Sequence, residues 1–194
     1  MKAFNIELLK PKGGWLNALL FKNSYLNIPE TLFYSIQIDL DEFTLDNNQI
    51  EPSIDLGFIR FDVNQLKELE SKTFTFPINP VEGHIDGSIH LFGFDLPFDV
   101  NKIELKTINN DTIEITLYHS ISLDYVDTGY ADIIDSTLIT NLQFGELTIH
   151  RDILSPDNFD PDNAKKIVSK FISIRDLGEP EIVSGQIKFK MQPH

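Results

Sequence analysis

The chain has no cysteine. Disulfide cross-links and thiolate metal sites are therefore excluded together. No apolar run approaches the roughly 20 residues that a membrane span needs, and no membrane partner is expected. The opening Met1 to Gly14 is interrupted by Glu7 and Lys10, so it has no signal-peptide core; this and the missing cysteines are consistent with the cytoplasm. Positive charge is scarce. Sixteen Lys and Arg face 30 Asp and Glu, giving a net charge of −14. Nucleic acid and anionic lipid both require a basic face, and no nucleic-acid partner is expected. The acidic balance suits solubility first, and after that a cationic partner.

Catalytic signatures are also missing. There is no His-Glu-x-x-His, no Gly-x-Ser-x-Gly and no dinucleotide glycine pattern. Gly13-Gly14 lack the downstream Gly-Lys-Ser/Thr of a phosphate loop. With 30 acidic residues, carboxylate pairs are unavoidable and lend a glycosidase reading no weight. No cofactor is expected.

What the chain does have is period-two patterning, clearest between Val81 and Tyr125. Ile113, Ile115, Leu117, His119, Ile121, Leu123 and Tyr125 fall in one phase, with polar residues in most of the gaps. This is the signature of a half-buried strand, and it turns His119 inward. Ile103, Leu105 and Thr107 form a second alternating set, separated from the first by Asn109-Asn110-Asp111. A three-residue loop pairs Thr107 with Ile113, Leu105 with Ile115 and Ile103 with Leu117, keeping the apolar faces together. The same register sets Asn101 opposite His119. Leu96-Pro97-Phe98 is expected to end the preceding strand, since proline cannot donate to a ladder.

Along the rest of the chain, strands are expected at 3–9, 32–40, 54–58, 74–78, 138–149 and 183–191. Pro11 to Gly14 is a turn in this reading. Changes of phase suggest bulges beyond Asp41, near Gly57 and at Gly145. Asp62 caps a short helix over 63–70. Asp160, with Pro161 at the first helical position, caps an amphipathic helix over 161–172, and residues 155–163 read as the loop before it. Segments 53–64 and 88–101 echo one another weakly, short of a repeat architecture. The fold class is mainly β: an antiparallel sandwich or incomplete barrel, one domain over 1–194, with a helix near its C-terminus.

Several residue sets are candidates for function. His84, Asp86 and His90 share one face of a strand and are suitable metal ligands by type. A regular rise separates His84 from His90 by about 20 Å, so one strand cannot close a metal site with both. His119 with Asn101 suits a ligand contact or a general base; a buried histidine satisfied by a neighbour is the plainer reading. Asp39-Leu40-Asp41-Glu42 and Asp157 to Asp162 offer carboxylates but do not match a calcium loop, and a solvated turn and a helix cap explain them better.

The expected function is non-enzymatic binding: an acidic, immunity-type inhibitor that occludes a basic protein through Asp39, Asp41 and Glu42. The alternatives are a hydrolase or metal-dependent enzyme with His84, His90 and His119 in one cleft, or a carbohydrate-binding β-sandwich using Trp15 or Tyr130.

Overall fold

The computed structural model describes residues 1–150, 152–154 and 159–194. Among the described residues the fold is mainly β with one α-helix. The strands are β1 Pro11–Asn23, β2 Ile28–Leu40, β3 Phe43–Leu45, β4 Asn48–Ile50, β5 Ser53–Ile59, β6 Thr73–Thr75, β7 Asp86–Leu91, β8 Phe94–Asn109, β9 Thr112–Ile121, β10 Ile133–Ile149, β11 Glu181–Val183 and β12 Gln186–Lys190. The helix is α1 Pro161–Val168. Among the described residues no helix is long and apolar enough to cross a membrane.

The expected sandwich or incomplete barrel gives way to a closed one. The hydrogen-bonded order β1-β2-β5-β7-β8-β9-β10 returns to β1, forming a seven-stranded barrel. The first six pairings are antiparallel and the seventh, β1 with β10, is parallel. Parity explains the seam: alternating directions around an odd ring must meet once with two strands aligned. Closure also protects edges that a sandwich would leave open. Period-two patterning reports which face of each strand is buried but not which strands pair, and so it does not distinguish the two architectures.

The alternation itself is realised. Leu16, Ala18 and Leu20 of β1, Tyr34, Ile36, Ile38 and Leu40 of β2, and Ile113, Ile115, Leu117, His119 and Ile121 of β9 all point into one buried core. Each fully buried large aliphatic or aromatic side chain contributes about 1.5–3 kcal/mol before entropy is subtracted. Glycines allow strands to approach where a side chain would not fit. A Cβ at Gly14 would overlap the Gln37 carbonyl oxygen, and one at Gly87 the Phe98 carbonyl oxygen. Gly14 therefore sits inside β1, and the expected turn over Pro11 to Gly14 is absent.

Bulges follow the phase changes in two places. On β5, Tyr34 pairs with Ile59 but Ile36 with Leu56, which puts the extra residue at Gly57-Phe58. On β10, Leu16 pairs with Phe144 but Ala18 with Leu147, which puts it at Gly145-Glu146. Beyond Asp41 there is a hairpin instead. β3 and β4 pair around Asp46 and Asn47, both at positive φ, the geometry of a tight two-residue turn.

Other expectations need correction. Residues 3–9 form no strand; Ile6–Leu8 is a 3-10 turn whose cap Asn5 accepts the Glu7 N–H. The helix over 63–70 shrinks to a 3-10 turn, Leu66–Leu69, and its first N–H is met by the buried Asp176 carboxylate at 2.8 Å, not by Asp62. Pro97 does not end a strand and lies inside β8. The two-residue turn Phe92-Gly93 makes Ser88–Pro97 a non-hydrogen-bonded pair, so β7 asks nothing of the missing N–H. The Pro97 carbonyl accepts from Ser122 at 3.1 Å.

Tyr125 is exposed despite its phase, because β9 stops at Ile121 and a 3-10 turn follows. The expected last strand divides at Ser184-Gly185 into β11 and β12. Asp160 does cap α1, accepting the Asn163 N–H at 2.9 Å. The helix ends at Val168, short of the expected 172, although Ile172 remains buried. Asp157 and the loop positions 155–158 lie outside the described residues, so neither the expected loop nor the acidic candidate beginning at Asp157 is described in full.

Candidate functional site

The end of the barrel where β2, β7 and β9 finish and β8 and β10 begin carries the most elaborated surface. Three segments meet there: the β3–β4 hairpin, the Phe92-Gly93 turn and the loop through Val126 to Tyr130. Between them lies a cleft of about 630 Å³. Its lining includes Leu45, Ile50, Phe92, Phe94, Val126 and Tyr130, and its only charged members are Asp46 and Asp127. Beneath it, Phe92 stacks on Tyr130 at 5.5 Å and Phe4 meets both edge-on. This packing fixes the floor, while Phe94 remains 50% exposed. Asp39, Asp41 and Glu42 are exposed just before the hairpin, and Glu42 accepts from Gln49 at 2.7 Å.

The sequence draws attention to the acidic run and to Tyr130, but not to Phe92, Phe94, Asp46 or Asp127. Their signal was local: Asp-Asn and Phe-Gly occupy turns at positive φ, and turn tips gather at one end of a barrel.

A second cleft, of about 370 Å³, opens beside His119. Both strands flanking β9 are bulged at this level. On one side Val100 pairs with His119 and Lys102 with Tyr118, leaving Asn101 as the extra residue of β8. On the other Ser136 pairs with His119 and Ile133 with Ile121, leaving an extra residue at Ile134-Asp135 of β10. Asn101 is therefore not opposite His119, but it shares the cleft with it, together with Thr75, Lys102, Asp135 and Ser136. The hairpin register holds at Leu105–Ile115 and Ile103–Leu117. It fails at Thr107, because a β8 bulge pairs Ile108 with Ile113 and the loop is the two residues Asn110-Asp111.

The His119 ring stacks on Phe98 at 4.3 Å and 15° and is 3% exposed. Among the described residues its Nδ1 has no hydrogen-bond partner. Burial pushes its pKa down to about 4, partly opposed by the Leu117 carbonyl, so the ring is neutral near pH 7. Among the described residues no carboxylate or hydroxyl meets its Nδ1.

The remaining histidines do not join it. His84, half-buried just before β7, bonds the Val81 carbonyl through Nδ1 at 2.9 Å. His90 is exposed and bonds Asp95 at 2.9 Å. Neither lines the His119 cleft. Asp86 is exposed at the start of β7. Among the described residues no group of three or more His, Asp or Glu side chains could hold a metal ion. No family model matches the chain, and no curated protein or solved structure is significantly similar to it.

Proposed function

We propose that this chain is a non-enzymatic binding protein that occludes a cationic protein partner, in the manner of an immunity-type inhibitor. The observation that carries the reading is the end cleft, apolar in its floor and acidic in every charged residue that lines it. An exposed aromatic such as Phe94 gains from being covered by apolar side chains, which takes its ring out of water. Asp46 and Asp127 then select lysine or arginine beside those side chains, and Asp39, Asp41 and Glu42 extend the negative field that steers approach. Lys2, Lys10 and Lys12 lie early in the chain but line no part of the cleft. The fitting occupant is a protein segment that alternates basic and apolar residues.

Selection from a displayed random-peptide library tests this. Enriched peptides should be basic and apolar, their binding should weaken with added salt, and Phe94→Ala or Asp46→Asn with Asp127→Asn should reduce affinity at least about ten-fold. Enrichment of acidic peptides, or binding untouched by those changes, would overturn it.

A further inference from the structure

A separate surface, on the outer wall of the barrel, has the makings of a small-molecule site. Past the start of β9 at Thr112, the last residues of β10 are flanked by β1 on one side and β12 on the other. β11 continues the sheet beyond β12. The result is a trough of about 340 Å³. Trp15, the only tryptophan of the chain, stands on its β1 side and is 45% exposed. Glu146, Glu179, Glu181, Lys188 and Lys190 supply the polar lining. The β10 bulge at Gly145 also lines it, with the Asn17 amide oxygen filling the space beside that glycine.

The charges in this trough are largely committed to one another. Lys188 reaches Glu146 at 2.7 Å, and Glu179 is held by Lys165 at 2.6 Å. Glu181 and Lys190, one of each sign, complete the set. A cation or an anion entering here would meet a nearly cancelled field. A neutral ligand rich in hydroxyl groups would use both signs, donating to carboxylates and accepting from ammonium groups, charge-assisted bonds stronger than neutral ones. Its C–H face would cover the exposed indole, removing apolar area from water on both sides.

We infer that the Trp15 trough binds a neutral saccharide, with the sugar ring stacked on Trp15 and its hydroxyl groups shared between Glu181 and Lys190. This goes beyond the end cleft and uses none of its residues.

Because Trp15 is the sole tryptophan, its emission reports directly on the trough. The purified chain is titrated with glucose, galactose, mannose, N-acetylglucosamine and cellobiose, and with tetramethylammonium chloride and sodium acetate as charged probes. At least one sugar should change the emission saturably, and neither ion should. Glu181→Gln and Lys190→Gln, both at exposed positions, should each weaken that response about ten-fold while leaving Trp15 in place. The inference is overturned if no sugar saturates, if tetramethylammonium or acetate does, or if the sugar response survives both substitutions combined.

Discussion

The side chain of Asn17 on β1 crosses the parallel seam and accepts the Glu146 N–H at 3.0 Å. Glu146 belongs to the β10 bulge, where the strand ladder leaves a backbone group over, so one amide oxygen does the work of the missing strand bond. The same oxygen occupies the space a side chain at Gly145 would need.

These facts couple two positions. Asn17→Ala should cost about 1–3 kcal/mol by leaving the bulge N–H unmet. Gly145→Ala should cost a similar amount by displacing Asn17. The double variant should lose clearly less than the sum, since the second change removes what the first had already broken. Urea denaturation of the four proteins measures the coupling, and strict additivity would show that Asn17 plays no such part.

Gly14 and Gly87 are harsher cases. The obstacle at each is a backbone carbonyl of the neighbouring strand, at Gln37 and Phe98, and a barrel wall cannot rotate it aside. Gly14→Ala and Gly87→Ala should each destabilise by more than Gly145→Ala, at or beyond the upper end of single-site effects, about 4 kcal/mol. Thermal melts compare the three directly.

These glycines also show what the sequence made legible. The inward faces of β2, β9 and β10 were readable because burying one face imposes a period of two on apolar residues. The bulges at Gly57 and Gly145 were readable because each inverts that phase. Gly14 was misread, since Pro-Lys-Gly-Gly has turn composition and the close carbonyl that demands glycine comes from a strand more than 20 residues later. Closure of the ring was hidden for the same reason, as no local pattern records that β10 meets β1. His119 faces inward as its phase implies, but Asn101 shares its cleft without pairing with it. The reason for that grouping, a bulge on each side, could not be inferred from alternation alone. The acidic residues before β3 were visible, but the cleft beside them is made by turn tips that only the barrel assembles.

His119 gives a pH-dependent prediction. The unfolded chain takes up a proton near the ordinary histidine value of 6.5, while the folded chain holds it off until about 4. Stability should therefore fall as pH drops through that window and stay level, as far as this group is concerned, below it. The full contribution is about 3 kcal/mol. His119→Phe keeps an aromatic ring against Phe98 and removes the unpartnered Nδ1. It should leave stability near pH 7 unchanged or up to about 1 kcal/mol higher, and it should flatten the dependence between pH 6.5 and 4. Denaturation midpoints across that range that change as steeply in the variant as in the parent would contradict this.

Tyr34 and Asp176 contrast two buried polar groups. Among the described residues the Tyr34 hydroxyl has no hydrogen-bond partner, and burial, with the nearby Asp176 and Glu68 carboxylates, drives its pKa far above the usual tyrosine value. Tyr34→Phe should be neutral or stabilising. The Asp176 carboxylate meets the Leu66 N–H, and Asp176→Ala should cost about 1–3 kcal/mol. Equal losses from the two changes, measured by urea denaturation, would mean that Tyr34 has a partner.

Both proposed sites depend on the barrel closing through its parallel seam, and the absence of cysteine makes that closure simple to test. Leu19 is the direct partner of Thr148 across the seam. Leu19→Cys with Thr148→Cys should form an intramolecular disulfide under mild oxidation and shift the denaturation midpoint upward. Leu19→Cys with Glu146→Cys, two residues out of register, should cross-link far less. If the out-of-register pair cross-links as readily as the first, or if neither does, β1 and β10 do not meet as described and the closed barrel is wrong.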